Sequence, residues 1–540
     1  MNRLPFLRSP PFPGIAPSVA AVSMASEGEA GAVPDELLDE IARARVGGAF
    51  WGAVRTGFRV VVRAGMAVPA GTFDPVPAAE IAVVGATDGS QQGARIDEAV
   101  DPWALIGGAQ AVHAPEDDEL AIVAGLLDVP VLGTDGRRID PRRLRQAARA
   151  AIAAASYRDC FTGEPASAAD AVRQLSDWRR MLEANRGIAA ATGMAWWKRE
   201  AVRRFLWDGT RPPPILTPPA ALRYAGREKG DVAFWPSRVP ATFIADAKAQ
   251  GVAAVKVEDG FLRSRGLGAA LTPPGSVVVD RTGIYYDARS PSDLETLLAT
   301  HEFPPALLDR ARRLRSAIRA GGVTKYGLEA GGMPHLPSGK RTVLVVGQVE
   351  DDLSVQHGGA GVAGNLGLLE RAREVERDAH IIYRPHPDVQ AGLRKGHLSD
   401  AAVLRHADVI DTGAPLMGLV QAVDDVHVLS SLTGFEALLR DRPVTVHGMP
   451  FYAGWGLTRD LAPSNPRRGR RLTIDQLVAA ALILYPRYLD PVTQLPCGPE
   501  IMVERMAAGA HSPISWLVRL RMVQGKIQRF MTLSAERLHG

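Results

Sequence analysis

Short runs of β-branched and apolar residues recur along the chain, separated by longer stretches in which apolar positions return every three or four residues. From residue 230 onward, Asp231–Trp235, Ala253–Val257, Val343–Val346, Ala379–Tyr383, Val426–Leu429 and Val444–Val446 read as buried strands. A continuous apolar run suits a strand covered on both faces. Leu366–Arg377 and Phe435–Leu439 have helical spacing and lie between such runs. Ser292, followed three residues later by Glu295, has capping-box spacing and predicts a helix over Ser292–Leu298. Strands alternating with helices predict parallel sheets with helices on both faces. The Gly- and Pro-rich stretch Ala330–Lys340 predicts a boundary between two such blocks. Two Rossmann-like blocks leave a cleft at the carboxyl ends of their strands, where nucleotide-type ligands bind.

The ends depart from this pattern. Pro5, Pro10, Pro11, Pro13 and Pro17 interrupt any helix within residues 1–34 and predict a disordered tail, not a secretory segment. Within 511–540, Trp516, Leu520, Val523, Ile527 and Phe530 recur at helical spacing among Arg519, Arg521, Lys526 and Arg529. That is a basic amphipathic helix, suited to an anionic membrane face or to docking on its own domain. A faint repeat is also present. Arg137-Arg138-Ile139 and Tyr157–Thr162 echo Arg470-Arg471-Leu472 and Tyr488–Thr493, and Gly125–Val131 echoes Ala437–Val444. At Ala114–Val123 the earlier copy lacks both serines of the later one, so residues 35–190 read as a degenerate partial module without catalysis. Residues 191–335 and 336–510 then form two Rossmann-like domains.

With 540 residues, 46% hydrophobic and 23% charged, the chain is globular and too long for one compact domain. A net charge of +4 without a local basic stripe does not describe a nucleic-acid binder. Two cysteines, Cys160 and Cys497, exclude a disulfide framework and a Cys-rich zinc site, and fit a reducing compartment. No apolar run is long enough for a membrane-spanning helix.

Four clusters at strand ends carry candidate chemistry. Glu258-Asp259, followed by a Gly-rich turn with Arg263 and Arg265, is a carboxylate pair. Paired acids raise one another's pKa when partly buried, which suits acid/base work, although a solvated acidic turn has the same composition. Gln348 with Glu350, Asp351, Asp352 and Ser354 reads as a cation site, a set of nucleophile and sugar contacts, or a polar loop. Arg384-Pro385-His386-Pro387 braces one imidazole between two prolines. Ser430, Ser431, Thr433, Gly434 and Glu436 follow a strand and open a helix, an arrangement that cradles phosphate; Thr433 and Glu436 also have capping-box spacing. Downstream, Gly448–Thr458 is aromatic and Gly-rich, able to close over a base or sugar or to pack at an interface.

Together, Glu258-Asp-Gly-Phe-Leu-Arg-Ser, Gly347-Gln-Val-Glu-Asp-Asp-Leu-Ser, Arg384-Pro-His-Pro, Ser430-Ser-Leu-Thr-Gly-Phe-Glu and Pro450-Phe-Tyr-Ala-Gly-Trp-Gly resemble the capsule polysaccharide Kdo (3-deoxy-D-manno-oct-2-ulosonic acid) transferases of Gram-negative bacteria. The resemblance covers about residues 190–510. The acid-Asp-Gly, His-Pro and paired-hydroxyl elements are also similar to those of bacterial sialyltransferases, which use a CMP-sugar donor. The resemblance implies an α/β, GT-B-like fold: an acceptor-side domain (191–335) and a CMP-sugar-binding domain (336–510) facing a cleft, preceded by the degenerate α/β partial repeat. Many members of the family carry two tandem modules; here one intact module follows what resembles an eroded one.

The resemblance further implies that His386, Ser430 and Ser431 hold the CMP phosphate. Gln348, Ser354, Arg384, Thr433 and Gly434 complete the donor site, and Glu436 reaches the ribose. Arg263 and Arg265, with Arg384, meet the Kdo carboxylate. Asp352 is the implied nucleophile of a retaining double displacement, with Glu258 or Asp259 as acid/base, so the catalytic set is Glu258, Asp259, Asp352 and His386. A monophosphate leaving group has one charge fewer than a diphosphate, so neither metal nor other cofactor is expected beyond CMP-Kdo as donor. Expected partners are CMP-Kdo, a lipid-linked saccharide acceptor, the inner-membrane surface and other capsule assembly proteins, without nucleic acid. The expected location is cytoplasmic and peripheral at the inner membrane. A non-catalytic polysaccharide-binding or export-coupling protein is the alternative; a sugar-nucleotide epimerase is a third reading, disfavoured by the Glu-Asp-Gly and paired-hydroxyl motifs.

Overall fold

The computed structural model describes residues 4–15, 22–24, 33–66, 76–85, 92–262, 273–324, 336–337 and 339–509. Arg263, Arg265, most of the expected linker 330–340 and the C-terminal helix 511–540 lie outside the described residues. The chain divides into two units, Met1–Ile188 with Leu206–Pro213, and Ala189–Phe205 with Pro214–Gly540. No helix among the described residues is long and apolar enough to cross a membrane.

The second unit holds two sheets. The later one has six strands in the order Val409–Ile410, His380–Arg384, Thr342–Val346, Asp425–Val428, Val444–Val446 and Arg459–Asp460. Every neighbouring pair is parallel. Numbered along the chain this is 3-2-1-4-5-6, the doubly wound order. Its central strands are fully buried, which explains why they read as unbroken apolar runs.

The earlier sheet runs Ile215–Leu216, Ile188–Thr192, Asp231–Phe234, Ala254–Asp259, Ser276–Asp280, Pro486–Leu489 and Pro496–Cys497. Ala254–Asp259 is parallel to Asp231–Phe234 but antiparallel to Ser276–Asp280, which is itself antiparallel to Pro486–Leu489. This corrects the expectation of wholly parallel sheets. It also moves the C-terminal segment out of the 336–510 domain, because strands 486–489 and 496–497 cross back to the earlier sheet. One apolar cluster extends from Val278, Leu294 and Leu314 of the earlier fold to Leu344, Val426 and Val446 of the later one. The two folds therefore share a core.

Ser292 caps the helix Asp293–Thr300 by accepting the Glu295 N–H at 3.1 Å. The capping box is only half made: the Glu295 carboxylate instead pairs with Arg467 and with Arg468 (2.9 Å).

The first unit contains a five-stranded parallel sheet ordered Ala94–Ile96, Ile81–Val84, Val60–Arg63, Ala111–His113 and Val131–Leu132. This is the order of the first five strands of the later sheet. The likeness extends to single turns. Asp128 and Asp441 both take a left-handed backbone, with φ of 57° and 56°. The residue after each donates its N–H five residues back, Val129 to Ala124 (2.9 Å) and Arg442 to Ala437 (3.0 Å). Asp159 accepts the N–H groups of Phe161 and Thr162, as Asp490 accepts those of Val492 and Thr493. The faint sequence repeat thus has a backbone counterpart.

Residues 4–15 are not the loose tail that their prolines predict. Phe6, Leu7 and Phe12 are buried in the first unit, and Phe12 packs edge-on against Trp178 and Trp207, with centroids 4.9 and 5.1 Å away. Proline excludes a helix here but leaves an extended chain free to bury aromatic side chains. Val22–Met24 adds a strand beside Ala155–Arg158.

Candidate active site

Glu258 and Asp259 end the strand Ala254–Asp259 of the earlier sheet, at its carboxyl edge. The Asp259 N–H donates to Glu258 Oε1 at 3.1 Å, and Lys198 Nζ lies 2.9 Å from Asp259 Oδ1. Burial, reinforced by the charges of Asp259 and Asp352, pushes the Glu258 carboxyl up to about 7; Lys198 pulls the other way. A carboxyl with that pKa exchanges protons efficiently at neutral pH. Tyr285 and Tyr286, from the loop after Ser276–Asp280, feel the same charges, and burial lifts both phenols above their ordinary value.

Asp352 comes from the later fold. It caps the helix Leu353–Gly358, with Oδ1 accepting the Ser354 N–H at 2.9 Å, and it is exposed. Its negative charge adds to those that raise Glu258, Tyr285 and Tyr286, so Asp352 of the later fold lies within electrostatic reach of the acid pair of the earlier one. The helix bearing Asp352 is wedged between the folds. A Cβ on Gly358 would meet Ser430 Cβ at 3.3 Å and the Tyr286 carbonyl at 3.4 Å. Asp351 is engaged elsewhere: it is exposed and pairs with Arg394 at 3.1 Å, which holds it below the usual carboxylate range. Glu350 Oε1 accepts the Asn365 N–H at 2.8 Å.

Gln348 and Ser430 follow the adjacent strands Thr342–Val346 and Asp425–Val428, where the strand order reverses and ligands of doubly wound sheets bind. They clasp each other: Ser430 N–H donates to Gln348 Oε1 (2.8 Å), and Gln348 Nε2 donates to Ser430 Oγ (3.1 Å). Asn365 braces the clasp, accepting the Gln348 N–H and donating to its carbonyl, each at 2.8 Å.

Ser431, and not Thr433, caps the helix Leu432–Leu438; its Oγ accepts the Thr433 N–H at 3.2 Å. The expected Thr433–Glu436 capping box is therefore absent, since both residues lie inside the helix, buried. A Cβ on Gly434 would lie 2.3 Å from the Tyr452 hydroxyl, which donates to the Ser431 carbonyl. Glycine at 434 thus admits a tyrosine that fixes the serine pair. His386 caps the short helix Pro387–Gln390, its Nδ1 accepting the Asp388 N–H at 3.1 Å, one strand over from Gln348. Arg384 is tied to Asp411 at 3.1 Å, on the side of the sheet away from Ser430.

The aromatic loop is not a lid: Phe451, Tyr452 and Trp455 are buried. Phe451 stacks near Phe261, with centroids 4.5 Å apart, directly after the acid pair. Arg468 holds this loop by donating to the carbonyls of Pro450 (2.6 Å) and Ala453 (3.0 Å).

Glu376, Asp425 and His427 have ligand atoms within 4.8 Å of one another, the spacing of a metal site. Arg341 and Arg459 already balance these carboxylates, with Arg341 2.8 Å from Glu376 and 2.9 Å from Asp425. Burial also holds His427 down at about 4. In the first unit, the helix Glu119–Leu126 starts at Asp118, which pairs with Arg63 at 2.8 Å. A carboxylate there repels phosphate, unlike the serine pair of the later fold.

Lys198, Asn365, Tyr285, Tyr286 and Arg468 were not marked by any motif. Lys198 precedes the acid pair by about sixty residues, and only the fold brings it there.

Two Rossmann-like folds with polar groups at their carboxyl edges define a GT-B-like α/β architecture. Residues 230–320 and 316–488 match the capsule polysaccharide biosynthesis protein family. The chain is similar to the capsule polysaccharide modification protein LipA of Neisseria meningitidis serogroup A, with 38% identity over 359 residues, 66% of this chain and 51% of LipA. It is 47% identical over 237 residues to the lipopolysaccharide-processing protein LpsZ of Rhizobium meliloti, covering 43% of this chain and 54% of LpsZ. Among solved structures, it is similar to Thermosulfurimonas dismutans KpsC, a β-Kdo 2,4 transferase, with 32% identity and a TM-score of 0.52, covering 59% of this chain and 98% of that one. The chain belongs to the capsule polysaccharide Kdo transferase family. It spans about half the length of the curated relatives it matches.

Proposed function

We propose that this chain is a glycosyltransferase that moves Kdo from CMP-Kdo to a lipid-linked saccharide acceptor in capsule assembly, retaining the anomeric configuration. The observation that supports this reading is the helix capped by Asp352, whose Gly358 packs between Ser430 of the Gln348–Ser430 clasp and Tyr286 of the earlier fold, with the Asp352 charge felt at Glu258. In the first step an Asp352 carboxylate oxygen attacks the anomeric carbon of Kdo. The bond to the CMP phosphate breaks, and its electron pair leaves on the phosphate oxygen. Ser430, Ser431 and His386 offset the phosphate charge, so the reaction asks for no metal. In the second step the acceptor hydroxyl passes its proton to Glu258 as its oxygen bonds the anomeric carbon, and the electron pair of the bond to Asp352 returns to the carboxylate. Arg263 and Arg265 are assigned to the Kdo carboxylate, and residues 511–540 to the inner-membrane surface.

Incubation with CMP-Kdo and a Kdo-primed glycolipid tests this reading. CMP release that depends on acceptor is expected. A polysaccharide carrier or export-coupling protein would bind polymer and release no CMP, which would overturn the proposal.

A further inference from the structure

We propose that Lys198 is the positioning residue of the acid pair: it fixes Asp259 as its counter-charge and leaves Glu258 as the carboxyl that exchanges the acceptor proton. This rests on the transfer reaction above.

Lys198 closes the turn Trp196–Lys198, which follows the strand Ile188–Thr192. Its side chain is 9% exposed, a costly place for an ammonium unless it is paired. Its Nζ lies 2.9 Å from Asp259 Oδ1 and 3.5 Å from the centroid of Trp235. Such a contact with an indole face favours the cation, more so when it is desolvated. Trp235 and Asp259 stand at the ends of Asp231–Phe234, the neighbour of Ile188–Thr192 in the sheet, and of Ala254–Asp259, the next strand beyond it. The ammonium thus spans the carboxyl ends of three adjacent strands.

Among the described residues, the charged and titratable groups that act most strongly on Glu258 or feel its charge include Asp259 on its own strand, Lys198 from the turn, Asp352 from the later fold, and Tyr285 and Tyr286 from the following loop. Two adjacent carboxyls resist ionising together, and an ammonium bound to one decides which keeps the charge. Glu258 takes the hydroxyl proton only when ionised, so transfer rises with pH through its titration. Removing the positive charge of Lys198 makes that ionisation harder and moves the rise to higher pH. Removing the negative charge of Asp259 moves it to lower pH.

The pH profile of kcat/KM for the acceptor, whose step Glu258 serves, tests this in wild type, Lys198→Met and Asp259→Asn. Lys198→Met is expected to raise the acid-limb midpoint by about one pH unit, about tenfold slower on the acid side, and to approach wild type at high pH. Asp259→Asn is expected to lower the midpoint, and Lys198→Arg to restore that of wild type. A lysine that merely supports the fold would scale the rate at every pH and leave the midpoint in place, which would overturn the proposal. If Lys198→Met does not fold, an unmoved midpoint in Asp259→Asn overturns it instead. Should wild type transfer no Kdo, the functional reading fails separately. The Glu258 titration is then read without turnover from its carboxyl infrared band, identified by its loss in Glu258→Gln, with the same shifts expected.

Discussion

Asp352→Asn is expected to cut Kdo transfer by about 10³-fold or more while leaving the melting temperature near that of wild type. Asparagine keeps the side-chain oxygen that caps Ser354, so the helix Leu353–Gly358 retains its start. What is lost is the carboxylate to which the proposed mechanism gives the attack on the anomeric carbon. Glu258→Gln is expected to cost about 10²–10⁴-fold, the range of a general acid/base. The double variant should fall less than the product of the two, because both act on one intermediate. Asp351→Asn is the internal control: its partner is Arg394 at the surface, and it should stay within about threefold of wild type. Steady-state CMP release across these four variants checks the set. Full activity in Asp352→Asn would place the nucleophile elsewhere.

Arg468→Met is expected to have the largest effect on stability, about 3–5 kcal/mol in urea denaturation. Arg468 and Glu295 are both buried, so removing the guanidinium leaves a buried carboxylate paired, among the described residues, with Arg467 alone. The same change frees the Pro450 and Ala453 carbonyls, loosening the loop whose Phe451 packs against Phe261, two residues after the acid pair. Replacing Glu295 as well should recover part of the loss, since the second change removes the stranded charge. A loss below about 1 kcal/mol would mean that the pair exchanges freely with water.

How far the fold can be read from sequence depends on the range of the interactions. Val444–Val446 coincides with its apolar run, and the other central strands differ from theirs by a residue or two, because burial on both faces leaves a local signature. The return of Pro486–Leu489 to the earlier sheet has no such signature: its partner, Ser276–Asp280, is about two hundred residues away. The aromatic run Pro450–Gly456 fits a lid and a core equally well by composition, and only the burial of Tyr452 and Trp455 decides for the core. Phe6, Leu7 and Phe12 were eclipsed by the prolines around them.

The same contrast holds at the site. Glu258, Gln348 and Ser430 each follow an apolar strand, so position and chemistry coincide and can be read locally. Gly434 and Thr433 sit in the same motif but face inward, where they support Tyr452 and Ser431. Lys198 carries no marker, because its place beside Asp259 and Trp235 is created by three strands that meet only in the folded sheet.

Calorimetric titration of CMP into wild type and Gln348→Ala tests the central claim, that the donor sits where the later sheet reverses its strand order. The account predicts one CMP per chain for wild type. It predicts binding weakened by about tenfold or more in Gln348→Ala, which loses both bonds to Ser430. Unchanged affinity in that variant, or two CMP molecules per chain, would contradict it.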